Sequence, residues 1–549
     1  MKVGPLLNHS MFKPLVRAVT IAAVLAAAPA QADDVVLRMK DGNFQVEGTL
    51  LSFDGTTYVI ASKQVGTMSL FAGRFDCIGE ACPRGIAKPA AAQQQAAPSP
   101  DKPPVEASSP RIALHAPASI SPTLLADLVK GWIASIGGSA VREIGAESGE
   151  TRLRAIDRGG KEIARFDVHR GEAWAAFAAL QAGAAEIVVT DRRIGDAEAA
   201  DLAPQAGDMR AAAREAVVAL DAFAVIVAPD NPVGSMSAAT MTRIFGGQVV
   251  DWAELGLPAG RIAVYGSATT TGPGSLFDTE ILKPQGKVLA PAAVQMSSSA
   301  AVAEAVAQQR GGIGVASIAD MRHAKPVGID QGCGLLTEAS AFAIKTEEYP
   351  LSRRIYLYTA RTPASEPARK LLEFVASPDG QDIIADHVLV DQRLETSAFI
   401  DHRPRFAFAQ SRPNAALPRL LAELGAASRL STTIRFDSGT SLIDSKSQNE
   451  LKGVVALLTR PGEPRRRVML LGFSDVVGGA VKNAALAAKR ADQARAALIA
   501  AAAGALDPGL LVAKGYETLA PVACDDTERG RQLNRRVELW VREEPNANR

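Results

Sequence analysis

Short runs of apolar and β-branched residues, each ended by polar turn residues, mark 35–39, 48–53 and 58–61 as strands. Asp41-Gly42 and Asp54-Gly55 fall between them, dipeptides that suit the positive backbone angles of tight hairpins. A small β-barrel over 33–83 is the expectation. The pattern then stops. From 84 to 110 Ala, Gln, Pro and Ser dominate (Gln93-Gln94-Gln95, Pro98-Ser99-Pro100, Pro103-Pro104). That composition buries too little apolar surface to fold, so a semi-extended linker is predicted.

Between 111 and 397 the pattern alternates between extended and helical. Strands are predicted at 111–114, 186–190, 222–227 and 261–265, with a helix over 123–136. Such alternation is that of an α/β domain, and the length suits two lobes. A second connector, 398–427, carries Pro404, Pro413 and Pro418, which break any long helix. Beyond it lie a strand at 433–436, a helix at 448–458 and a strand at 467–472. A long helix follows over 482–503, stopped by Gly504, then an extended run at 511–517 and a last strand at 536–541. This β-α-β-α-β order fills 428–545. The fold class is multidomain α/β, led by the small β module.

The N-terminus changes the picture. Lys2, Lys13 and Arg17 precede an apolar run over 18–28 and then Ala30-Gln31-Ala32, the three regions of an export signal with its cleavage site. Residues 1–32 are read as a signal peptide. No later apolar run approaches the roughly 18–20 residues that a helical membrane span needs. Export to an oxidising compartment makes Cys77 and Cys82 a candidate small-loop disulfide, since a zinc site would want two further ligands and none is near. Cys333 and Cys524, far apart in the chain, are expected to be unpaired.

Lys+Arg 60 against Asp+Glu 59, with 5% aromatics, leaves no electrostatic footprint for a nucleic-acid partner. The 6 histidines are scattered with none at metal-ligand spacing, and no nucleophile elbow, phosphate loop or zinc-protease helix occurs. No cofactor is implied, and a non-catalytic protein is expected. A wall hydrolase is the enzymatic alternative, but no acid or nucleophile for it can be located.

Two stretches carry chemistry. The first is Gly472-Phe473-Ser474-Asp475, followed by Asn483, by Lys489-Arg490-Ala491 on the Ala-rich helix, and by Asn534-Arg535-Arg536-Val537. One carboxylate and one guanidinium held apart suit a zwitterion, the acid gripping an ammonium and the arginine a carboxylate. The pattern resembles the OmpA-like peptidoglycan-binding domain. The resemblance implies that Asp475 and Arg490 hold the diaminopimelate of the wall peptide, with Ser474, Asn483 and Arg536 as supporting contacts. The loop Val476-Val477-Gly478-Gly479 is more apolar than that family usually shows.

The second series runs through Ala222-Phe223-Ala224-Val225-Ile226-Val227, Ile244-Phe245-Gly246-Gly247, Asp251-Trp252, Gly311-Gly312-Ile313-Gly314, Tyr349-Pro350-Leu351-Ser352-Arg353-Arg354 and Ser377-Pro378-Asp379-Gly380-Gln381. It resembles the PstS-type phosphate-binding proteins, periplasmic solute-binding proteins of the type 2, two-lobed fold. By that resemblance Ser119, Thr190, Asp191, Arg192, Thr271 and Gly272 are the anion-binding candidates, the ligand is a small oxyanion such as phosphate, and an ABC permease is a candidate partner. Two positions depart from the family. Pro273 removes a hydroxyl and a backbone N–H, and Ser267 stands where an arginine is common. Arg192 and Arg170 are the candidates to replace that cation.

The sequence thus reads as a solute-binding protein of the periplasm, held without a covalent bond to peptidoglycan and associated with the outer membrane. The alternative is an envelope scaffold with a working wall anchor and a vestigial binding lobe.

Overall fold

The computed structural model describes residues 34–40, 45–53, 57–62, 66–72, 75–79, 81–83, 109–117, 119–121, 123–143, 150–267, 272–361, 365–410, 416–436, 442–462 and 464–544. The leader expected at 1–32 and the hairpin dipeptides Asp41-Gly42 and Asp54-Gly55 lie outside them, as do 84–108 of the linker. Two units divide the chain, 1–105 and 106–549.

In the first unit five antiparallel strands lie in the order Gly66–Phe71, Thr57–Ser62, Gln45–Phe53, Asp34–Met39, Phe75–Ile78. Val35, Leu37, Val46, Tyr58, Ile60 and Phe75 make its buried face. The expected small barrel is not confirmed. After Phe71 the chain returns beside Asp34–Met39, and among the described residues no ladder joins Phe75–Ile78 to Gly66–Phe71. The sheet is open. Cys77 and Cys82 are disulfide-bonded, with Cα atoms 5.7 Å apart.

The second unit is organised by one strand. Glu215–Val227 runs for 13 residues and is buried over most of them, a continuous apolar run because both faces are covered. Its first part pairs with Ser352–Tyr358, Asp221 standing opposite Arg353 and Ala222 opposite Ser352. From Phe223 onward its partner is Gly312–Ser317. A single sheet therefore serves two halves, and the partner change at Ala222/Phe223 marks their junction. Ile112, Leu114, Phe166, Ile187 and Ile355 belong to the core of the first half. Val225, Met241, Phe245, Trp252 and Ile313 belong to a core that follows the shared strand into the second.

The C-terminal sheet is ordered Thr396–Ala398, Ser428–Arg435, Arg536–Glu543, Arg466–Gly472, Leu511–Gly515. Helix Ala480–Ala502 packs on it through Ala487, Ala491, Ala494 and Leu498. Two glycines set how closely. Gly472 and Gly515 face each other in register. A Cβ on Gly472 would lie 2.0 Å from the Ala487 carbonyl, and one on Gly515 would lie 2.4 Å from the Ala488 nitrogen. The helix backbone rests on the space that two missing side chains leave. The connector is more than a spacer: it folds as helices Phe399–Gln410 and Leu417–Leu424. Pro418 sits in the first turn of the second, where no intrahelical donor is lost. Phe406, Leu417, Leu420 and Leu424 share a core with Phe473 and Trp540.

Candidate functional site

The first cluster of predicted site residues gathers where strands end at the junction of the two halves. Thr190, fully buried at the end of Ile187–Thr190, donates to the Arg192 carbonyl at 2.9 Å. Asp191 accepts from Ser119 at 2.6 Å. Neither Arg192 nor Arg170 is the cation beside them. Arg192 is clamped by both Glu198 oxygens at 2.8 and 2.7 Å and lies 5.1 Å over the Phe177 ring. Arg170 donates to the Ile120 carbonyl at 2.9 Å. The guanidinium at this place is Arg353, which donates to Asp191 at 2.7 Å and to Asp221 at 2.8 and 3.0 Å. Burial pushes the Asp221 carboxyl up, with Arg353 working against it. Thr271 and the side chains of Ser267 and Pro273 lie outside the described residues, and Gly272 opens the helix Gly272–Phe277.

Arg353 was passed over because it lies within a strand motif. Its signal was its place opposite Asp221, a buried acid of the facing strand. A cavity of about 1060 Å³ opens here, with Asp191, Arg192 and Arg353 on one wall.

The second cluster sits where Arg466–Gly472 hands over to helix Ala480–Ala502. Asp475 is buried, and its backbone carbonyl accepts from Asn483 at 3.0 Å. One carboxylate oxygen accepts from the Val477 N–H at 3.0 Å, the other from Arg535 at 2.6 Å. Arg490 has no acid partner within ion-pair distance among the described residues; its Nη1 is buried without a hydrogen bond, and its guanidinium lies 5.9 Å from the Phe436 ring. Burial, and then the charge of Arg535, lower its pKa while Asp475 supports it. The Ser474 hydroxyl is likewise buried without a partner. Ser474, Asp475, Asn483, Arg490 and Arg535 line one pocket of about 410 Å³.

Arg536 is not in that pocket, so the contact expected of it is corrected. It is fully buried, donates to Glu538 at 2.9 Å and lies 4.5 Å over the Phe473 ring. Arg535 and Arg536 are neighbours across a helix-to-strand boundary, so one side chain turns outward while the other enters the core. Arg405 and Arg429 also surround Glu538. Burial raises the Glu538 pKa, but those cations outweigh it and hold the carboxyl well below its usual range.

Residues 159–379 match the model of the PBP superfamily domain, and residues 435–535 that of the OmpA family. The chain joins a PBP-like domain to an OmpA-like domain. It is 30% identical over 113 residues to outer membrane porin F of Pseudomonas fluorescens, which covers 21% of this chain and 33% of that one. It is 27% identical over 189 residues to phosphate-binding protein PstS of Pseudomonas aeruginosa, 30% of this chain and 56% of that one. The chain therefore spans from a third to just over half of the length of these relatives. Among solved structures, an ABC-type phosphate transport receptor from Vibrio cholerae aligns with 51% of this chain and 99% of its own at 18% identity, with a TM-score of 0.38. Among the described residues no helix is long and apolar enough to cross a membrane.

The OmpA-like domain is bound to the PBP-like domain through charge. Arg354 donates to Asp444 at 2.7 Å, Arg429 to Glu348 at 2.5 Å, and the Ser445 hydroxyl to Glu215 at 2.5 Å. Burial opposes ionisation of Glu348, yet Arg429 prevails and brings its pKa down to about 2. Cys333 and Cys524 are disulfide-bonded across the same interface, 191 residues apart in sequence. The expectation that they are unpaired is overturned: docking brings their Cα atoms to 5.9 Å.

Proposed function

We propose that this protein is a solute-binding protein of the bacterial envelope whose OmpA-like domain holds peptidoglycan non-covalently while the PBP-like lobes take a small oxyanion. The observation that carries the anchor is Arg490, a half-buried guanidinium without an acid partner among the described residues, in one pocket with Asp475. Asp475 has about four acceptor sites and uses two, so it retains capacity for an ammonium. Such a pair supports diaminopimelate as the ligand. Both disulfides support export to an oxidising compartment.

The oxyanion would meet Ser119, Thr190 and the Asp191–Arg353 pair, with Thr271 and Gly272 the further candidates from the sequence. Binding raises stability by RT ln(1 + [L]/Kd), so phosphate or sulfate at millimolar concentration raises the melting temperature. Co-sedimentation with purified sacculi tests the anchor: wild type pellets, and the Asp475→Ala/Arg490→Ala double variant stays in solution.

One observation favours a second reading, an envelope scaffold with a vestigial lobe. Ser119, Asp191, Arg353 and Asp221 already satisfy one another. That reading predicts pelleting with sacculi and no thermal shift with any oxyanion.

A further inference from the structure

The OmpA-like domain touches both halves of the PBP-like domain and grips them differently. On the first half, Ser445 donates to Glu215 at 2.5 Å and Arg354 donates to Asp444 at 2.7 Å, with little of any of the four side chains exposed. The chain also leaves from this half, since Val390, just before the connector, bridges Leu220 of the shared strand. Further contacts lie beside the junction. Lys446 donates to the Lys345 carbonyl at 3.1 Å and Arg435 to the Thr346 carbonyl at 2.9 Å. A few residues on, the Leu351 carbonyl accepts from the Phe223 N–H, at the junction itself.

The grip on the second half reaches elements beyond the shared strand. Arg529 meets Glu280 at 3.1 Å, and Glu280 follows the strand Ala263–Ser267, which lies two strands further on. Gln331 donates to the Val522 carbonyl and accepts from the Cys524 N–H, each at 3.2 Å. Cys333 is bonded to Cys524. Gly332 and Gly334, at φ of +88° and +85°, flank Cys333 and shape the turn that presents it, a backbone that other residues rarely take.

Leverage ranks these contacts. A bond beside a hinge hardly resists rotation about it, whereas one on a distal element does. Among the described residues, the non-covalent grip on those distal elements is two hydrogen bonds and one ion pair whose arginine is 42% exposed. An exposed pair of that kind contributes about 0–1 kcal/mol. The covalent bond dominates.

We propose that the OmpA-like domain is a strap across the two halves, seated on the first, with Cys333–Cys524 as the pin that fixes the angle of the second. Hinge motion, by which two lobes ordinarily enclose a solute, is blocked while the pin is closed. A dithiol opens it. One thiolate attacks the sulfur of Cys333, which is half-buried where Cys524 is buried, and the Cys524 thiolate leaves. The second thiol then attacks the mixed disulfide and frees Cys333; the reagent ends as a cyclic disulfide, and its two protons end on the two cysteines. The strap depends on neither site's ligand.

The test is single-molecule energy transfer in the full chain carrying Cys77→Ser and Cys82→Ser, so that the pin is the one disulfide left. Dyes are attached through a ketone-bearing amino acid at exposed Lys161 of the first half and exposed Gln285 of the second. The oxidised chain should show one narrow distance. Dithiothreitol should spread or shift it, and reoxidation should restore it. Cys333→Ser should show the spread without reductant, and adding Arg529→Ala should widen it further. An unchanged distance in the reduced chain overturns the inference. So does a spread that reoxidation fails to reverse, or one absent from Cys333→Ser.

Discussion

Asp475 is bound by Arg535 at 2.6 Å, although the motif spacing pairs it with Arg490. The two arginines therefore have separate tasks. Arg535 holds the carboxylate in place, and under the proposed function Arg490 remains for an incoming carboxylate. Arg490→Ala should reduce binding to sacculi at least tenfold, since a charge-assisted hydrogen bond is worth about 1.5–3 kcal/mol. Arg490→Lys should recover part of it. Thermal stability should hardly change, because no ion pair among the described residues is lost. Pelleting assays beside melting curves check both halves of this expectation.

Arg353 is a different case, since it is already saturated. Its removal leaves Asp221, 8% exposed, without its cation. Breaking one side of a buried pair costs roughly 3–5 kcal/mol. Arg353→Ala should therefore lower the denaturation midpoint and abolish any phosphate-dependent thermal shift. Arg192→Ala, at a side chain 41% exposed, should leave stability nearly unaltered.

Gly472 tests how the anchor is built. A methyl group there meets the Ala487 carbonyl at 2.0 Å, so the helix that carries Asn483 and Arg490 must move away from the sheet. Gly472→Ala should cost about 1–3 kcal/mol and reduce sacculus binding as well. Gly479→Ala has nothing within 4 Å of the new atom and serves as the control.

A pH dependence follows from His402. Its ring lies 5.1 Å from Phe342 and 5.4 Å from Trp540. Burial, with Arg429 and Arg405 adding to it, lowers its pKa to about 3. The folded state keeps the ring neutral, while the unfolded chain takes up a proton near its ordinary value of about 6.5. Stability is therefore full above that value and declines as pH falls below it, by about 2 kcal/mol at pH 5. Glu348 adds a second loss, which begins below about pH 4.5 and runs down towards its folded value of about 2. Melting curves at pH 7, 6 and 5 should show a slope that His402→Phe flattens.

Much of this was legible in the sequence for a local reason. Asp475, Asn483 and Arg490 lie on one strand–turn–helix unit, where sequence spacing fixes spatial spacing. The alternation that predicted the α/β domain also follows from short-range period. What could not be read depends on docking and parity. Cys333 and Cys524 are brought together only because two domains meet. Arg535 and Arg536 differ by one position, and the helix-to-strand boundary at 534–536 decides which one faces the pocket. In the N-terminal sheet the last described strand lands beside the first, a pairing that local pattern does not set. Arg353 was hidden because a charge in a strand reveals itself only through the residue opposite.

The bond between Cys333 and Cys524 has a mechanical consequence. A protein held to the wall by its C-terminal domain feels any relative movement of wall and cell through that attachment. With the connector alone, tension would pass through 398–427 and could peel the two domains apart one contact at a time. The disulfide adds a second covalent strand to that path, entering the second half of the PBP-like domain directly. Tension is then shared across the docked face as shear. In a reducing buffer the same pull, applied in an optical trap, should separate the domains at a markedly lower force.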